Sequence, residues 1–148
     1  MAKPNILLLV AIVAIHLTAT AATLSRTAAP TATPTAYEML GRYGFPPGIL
    51  PKGVRDYELR PDGSFEVHFP DECRFRVDGK YDIHYNSRVA GNIHNETING
   101  IEGIKVKVFI AWINIREVGR DGDELSLHAG AISKSFPVDV FSSSPKCN

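Results

Sequence analysis

Few side chains in this sequence are spaced as catalysis or metal binding would require. Ser126 and His128 stand two apart in ELSLHA, so on a strand both point to one face, as a nucleophile and its base must. They are the best candidates for a catalytic pair. No G-x-S-x-G elbow accompanies them, and with Leu125, Leu127 and Ala129 between and beside them they also read as the polar side of an ordinary strand. Ser133 and Ser135 flank Lys134 on the approach to a strand, not on a strained turn.

The histidines outside the amino-terminal stretch are His68, His84, His94 and His128. They form no H-E-x-x-H and no i, i+4 helical pair, and the chain has no C-x-x-C, so no metal site is expected. His68 and His84 fall at the polar positions of predicted strands and are expected to face solvent. Asp56 and Glu58 share a strand face, but paired carboxylates do acid and base work only in a cleft that separates their pKa values; followed by Arg60, they read as solvated. The glycines of GRYGFPPG have no strand before them and no helix after, so they make no phosphate loop. No cofactor motif is present.

The amino terminus sets the compartment in which any such chemistry would run. Lys3, the apolar run Ile6 to Leu17 and the small residues Ala19-Thr20-Ala21 have the three-part form of a secretory signal peptide. Residues 1–22 are read as that signal, and 23–35, a Thr, Ala and Pro mixture, as a flexible mature amino terminus. The apolar run is shorter than the ~20 residues a spanning helix needs, so no transmembrane span is expected after cleavage, and the localisation is extracellular. Residues 36–148 are read as one domain. Losing Lys3 leaves 15 basic against 16 acidic residues, from 16 and 16, and this balance gives nucleic acid no basic face to bind.

In an oxidising compartment the only two cysteines, Cys73 and Cys147, are expected to bridge. A free catalytic thiol is the alternative, though neither sits in a nucleophile motif. Asn95-Glu96-Thr97 becomes a usable glycosylation sequon, placing a candidate glycan on Asn95.

The elements that position these residues can be read from period and punctuation. Thr35 and Glu38 form a capping box for a short helix, Ala36 to Tyr43, stopped by Gly44 and Pro46-Pro47-Gly48. Beyond it the period falls to two. Phe65, Val67 and Phe69, then Cys73, Phe75 and Val77, then Tyr81, Ile83 and Tyr85 alternate with polar residues, with Asp78-Gly79 as a hairpin turn. Val89 to Ile93 makes a further strand. A long run from Ile104 becomes apolar on both sides through Phe109 to Ile113, so its centre is expected to be covered on both faces. Leu125 with Leu127, and Phe136 with Val138 and Val140, supply the last strands. About seven strands and one helix, without βαβ alternation, give a mainly β fold, an antiparallel barrel or sandwich.

The order of these features carries a resemblance along nearly the whole of Ala36 to Cys147. The stretches YEMLGRYGFPPGILP, YELRPDGSFEVHF with Cys73 after it, YDIHYNSRVAGNI, VKVFIAWINIREV, and the closing SFPVDVF and PKC resemble the plant secreted family known as domain of unknown function 538. The resemblance implies a closed, Greek-key-like antiparallel β-barrel with a helix. It also implies discussion of stress responses, a likeness to lipid-binding bactericidal/permeability-increasing domains, and a proposed hydrolysis of chlorophyll esters. It brings no catalytic residue.

Three functions are therefore in view. The first is a secreted, noncatalytic binder of a lipid or other amphipathic small molecule, with Phe45, Ile49 and Leu50 as an apolar lip over a barrel mouth and Trp112 beside it. The second is a carboxylester hydrolase using Ser126 and His128. The third, suggested by the Thr/Pro-rich amino terminus and the sequon, is a structural or defence protein of the cell wall. The oligomeric state is left open.

Overall fold

In the computed structural model residues 32–148 are described; the stretch read as a signal peptide and most of the stretch read as a flexible amino terminus lie outside them. The helix α1 (Ala36–Arg42) begins where its capping box predicts. Thr35 Oγ1 accepts from the Glu38 amide at 3.1 Å, and the Glu38 carboxylate accepts from the Thr35 amide at 3.4 Å. It ends in a Schellman pattern, with the Phe45 amide donating to Leu40 O and the Gly44 amide to Gly41 O. Gly44 makes this turn possible with φ +86°.

Eight antiparallel strands follow in one sheet: β1 (Asp56–Leu59), β2 (Ser64–His68), β3 (Cys73–Val77), β4 (Tyr81–His94), β5 (Thr97–Val108), β6 (Ala111–Asp121), β7 (Glu124–Ala129) and β8 (Ile132–Pro137). The spatial order is β1-β2-β4-β5-β6-β7-β8, with β3 also paired to β4. β2 and β3 lie end to end along β4, β2 against Arg88 to Asn92 and β3 against Tyr81 to Tyr85.

Three expectations need correction. The sheet is a meander and not a Greek key, and its ladder does not close into a barrel: β8 pairs with β7 alone, and β1 with β2 alone. The cause lies at the two free edges. After Pro137 the chain turns into a 3-10 segment, Val138–Phe141, while the free edge of β3 takes the carboxyl tail, whose Asn148 amide donates to Arg74 O at 2.8 Å. Secondly, residues 81–94 are one strand with an irregular register between Tyr85 and Ala90, where two strands were expected. Thirdly, the apolar run from Ile104 is no doubly covered strand. It folds back at Phe109-Ile110 into the β5/β6 hairpin, and a run without Gly, Asn or Asp gave no sign of that turn.

A meander sends alternate turns to opposite ends. The β1/β2, β4/β5 and β6/β7 turns share one end with α1, which is tied there by Glu96 N–H to Tyr43 O and by the Arg120 guanidinium to Gly44 O, both at 2.8 Å. The β3/β4, β5/β6 and β7/β8 turns share the other, open end. Between the ends lies the core, with Leu125 fully buried and Tyr85 packed against Phe69 and Phe75 at centroid distances of 6.1 and 5.4 Å. A second 3-10 segment, Pro47–Ile49, lies against Val138–Phe141, and the Cys73–Cys147 disulfide secures the tail.

On the outer face Glu66 sits between two guanidiniums. Arg88 first, and then Arg60 at 2.9 Å, hold its carboxyl below the usual range. A carboxyl depressed in the folded state stabilises the fold above its unfolded pKa of about 4.3 and loses that contribution as pH falls through the folded value. Glu66→Gln is expected to flatten the fall in urea midpoint between neutral and acid pH, and equal pH profiles for variant and wild type would show that the ion pairs contribute nothing.

Candidate functional site

The open end holds an apolar cavity of about 390 Å³. Strand ends bring its walls together from far apart in sequence: Val77 and Tyr81 at the β3/β4 turn, Val106 to Phe109 at β5/β6, and Ala129 and Ile132 at β7/β8. Its charged lining residues are Lys80, Lys107 and Lys134, all exposed at the rim, and no serine, cysteine, histidine or carboxylate lines it.

Deeper in the core is a void of about 80 Å³, roofed by α1 and the segment after it. Val77, Ile83, Ile115 and Leu127 line both spaces, so the two run end to end along one apolar wall. Of the three tyrosines that line the inner void, Tyr43, Tyr57 and Tyr85, the last two have their hydroxyls already occupied. Tyr85 O–H donates to Ile49 O and Tyr57 O–H to Pro34 O, and burial pushes the Tyr85 phenol well above its ordinary pKa. Water entering there would find few partners, and apolar voids of this kind stay dry.

The residues expected at a lip are not gathered at this mouth. Phe45, Ile49 and Leu50 are buried at the opposite end, under α1; Ile49 and Leu50 line the inner void. An apolar loop can be read as a lip or as a plug, and here it plugs. Trp112 lies on the outer face near the open end, with the Arg74 guanidinium 5.5 Å above its ring and His84 edge-on at 6.1 Å. His84 is thereby largely covered, while His68 Nδ1–H donates to Asp56 Oδ1 at 2.6 Å.

Ser126 and His128 do share a face of β7, but it is the face away from the cavity. Ser126 Oγ lies 3.1 Å from Ser135 Oγ, and among the described residues no hydrogen bond joins it to His128. Asn95 is exposed in the β4/β5 turn, at the end opposite the cavity. Cys73 and Cys147 are joined. No cluster of three or more His, Cys, Asp or Glu that could hold a metal occurs among the described residues, and none of their helices is long and apolar enough to cross a membrane.

The lysine rim escaped sequence reasoning because its members are 27 residues apart, from 80 to 107 and again from 107 to 134. The signal that could have found it is turn parity. In a meander every second hairpin meets at one end, and each of these lysines lies within three residues of such a turn.

The family model described as "Protein of unknown function, DUF538" matches residues 36–142. A protein of Arabidopsis thaliana, "Uncharacterized protein At5g01610", is 27% identical over 105 residues, covering 70% of this chain and 61% of that protein. The chain thus spans about three fifths of the length of this curated relative. No solved structure matches it. With the family model covering the helix, all eight strands and the 3-10 segment after β8, the chain belongs to the DUF538 family.

Proposed function

We propose that the protein is an exported, noncatalytic binder of a lipid-like anion, with an apolar chain in the cavity and an acidic head at the lysine rim. The observation that carries this reading is the pairing of apolar walls with Lys80, Lys107 and Lys134 at one mouth. A volume of about 390 Å³ lies within the range of small-molecule sites, which are mostly apolar with a few placed polar groups. An apolar tail gains from leaving water, at roughly 0.8 kcal/mol per buried methylene. The ammonium groups then select a carboxylate or phosphate over a neutral head. The shared wall residues let a longer tail continue toward the inner void. Export rests on the amino-terminal signal pattern and fits the disulfide, since such bonds persist in oxidising compartments.

The test is titration with a fluorescent polyene fatty acid and with its methyl ester. Saturable binding of the acid at micromolar protein is expected, with weaker binding of the ester. Ala129→Phe, which fills the cavity, is expected to abolish binding. Lys134→Glu is expected to weaken the acid about tenfold, or about 1.4 kcal/mol, and to leave the ester unchanged. Absence of saturable binding by the wild-type protein would overturn the proposal.

A further inference from the structure

Among the described residues, the exposed large apolar ones are Phe109 (94% exposed), Ile110 (93%), Ile132 (43%) and Trp112 (38%). All four lie at the open end. Phe109 and Ile110 are the β5/β6 turn itself, Trp112 follows them on β6, and Ile132 follows the β7/β8 turn. Exposed apolar residues scattered singly need no explanation, whereas a contiguous group does.

The tip is also costly to the fold. Phe109 has φ +56°, a conformation that glycine or asparagine adopts readily and a bulky residue does not. With its ring in solvent, Phe109 returns almost no burial to offset that strain. A strained, exposed aromatic in a two-residue hairpin points to a use outside the fold.

Charge is segregated toward the same end. The strand ends and turns there carry Arg74, Arg76, Lys80, Lys105, Lys107 and Lys134 against Glu72, Asp78 and Asp82, six cations to three carboxylates, in a chain whose formal net charge is zero. Lys107 is directly across from Trp112 in the hairpin ladder. A projecting apolar tip, then a tryptophan, then a belt of cations is the sequence of layers that an anionic bilayer presents in complement: acyl chains, interface, head groups.

We propose that the β5/β6 hairpin docks the protein on anionic lipid bilayers, with Phe109 and Ile110 entering the acyl boundary, Trp112 at the head-group level and the surrounding lysines and arginines on lipid phosphates. This places the mouth of the cavity against the membrane. The candidate glycosylation position, Asn95, is at the far end, where a glycan would not obstruct contact.

Trp112 is the only tryptophan in the chain, so its fluorescence reports this hairpin alone. The full chain is mixed with phosphatidylcholine vesicles, with and without phosphatidylglycerol, containing acyl-brominated lipid as a contact quencher. Quenching and a blue shift of Trp112 are expected on the anionic vesicles, weakening as salt screens the charges. Ile110→Asp is expected to reduce apparent partitioning, read by quenching, at least tenfold. Phe109→Gly is expected to do the same while raising the melting temperature, a combination that loss of folding cannot produce. Ala129→Phe, which removes fatty-acid binding on the cavity reading, is expected to retain quenching, so the two proposals fail separately. If Trp112 is unquenched on anionic vesicles, or if both tip variants are quenched as strongly as wild type, the docking proposal is overturned.

Discussion

Replacing Cys147 with serine is expected to lower the stability of the fold by about 4 kcal/mol. The bridge joins residues 74 apart, and in the chain-entropy account a loop of that length restricts the unfolded ensemble by roughly this amount at 25 °C. Cys147 is exposed while Cys73 is almost fully buried, so the substitution is best made at Cys147. The Cys73 thiol left behind is a small apolar group that suits its buried position. For a unit of this size about 4 kcal/mol corresponds to a fall in melting temperature of roughly 15–20 °C. Reduction of the wild-type protein should give nearly the same fall in calorimetry. An unchanged transition in Cys147→Ser would mean that the tail holds its place by hydrogen bonds and packing alone.

The second large effect is expected at Gly48. A Cβ built there would stand 2.3 Å from Phe141 O and 2.7 Å from both Phe141 C and Ser143 O. All three are backbone atoms, so no rotamer change can relieve the clash. Gly48→Ala must separate the two 3-10 segments or displace the chain before Ile49, whose carbonyl accepts from buried Tyr85. A loss of about 3 kcal/mol is expected, at the upper end of overpacking costs, read as a lowered guanidinium midpoint. Gly41→Ala is the control. A Cβ at Gly41 meets nothing within 4 Å, and alanine in a helix is favoured over glycine by about 1 kcal/mol. If both substitutions moved stability in the same direction, the close approach at Gly48 would not be the cause.

The parts of this fold that were legible in the sequence are those set by neighbours in the chain. Thr35 and Glu38 announced the helix start because a capping box is a local hydrogen-bond pattern. The period of two marked β2 and β3 because alternate residues face the core, as in the buried, exposed, buried, exposed, buried order of β3. What was hidden depends on which edges meet. Whether β8 pairs with β1 or β3 is decided by the 3-10 segment after Pro137 and by the tail on Arg74, and neither has a signature in residue period. The Phe109-Ile110 turn was hidden for a different reason: its residues contradict turn chemistry. Local rules fail most often where a residue serves something other than the fold.

The candidate site was less legible than the fold. Ile49 and Leu50 were correctly marked as apolar and close to the helix, but composition does not tell a lip from a plug, and the hydrogen bond from Tyr85 to Ile49 settles which it is here. Ser126 and His128 share a strand face as their spacing requires, yet that face carries Ser135 beside Ser126 and is turned from the cavity. Lys80, Lys107 and Lys134 have no local signature at all. They become a group only when the meander brings three turns to one end.

The same meander sets an order of assembly during synthesis. Each ladder joins strands adjacent in the chain or separated by a single strand, so every one of them can zip soon after its residues leave the ribosome, with little loop to close. The contacts on β3 are the exception. Arg74 and Cys73 are made well before their partners, Asn148 and Cys147, and the two cysteines stand 74 residues apart. Until Cys147 and Asn148 emerge, the edge of β3 is therefore a bare strand with a reduced thiol, a template for pairing with other chains. Asn148 then covers that edge and Cys147 turns the thiol into a bond.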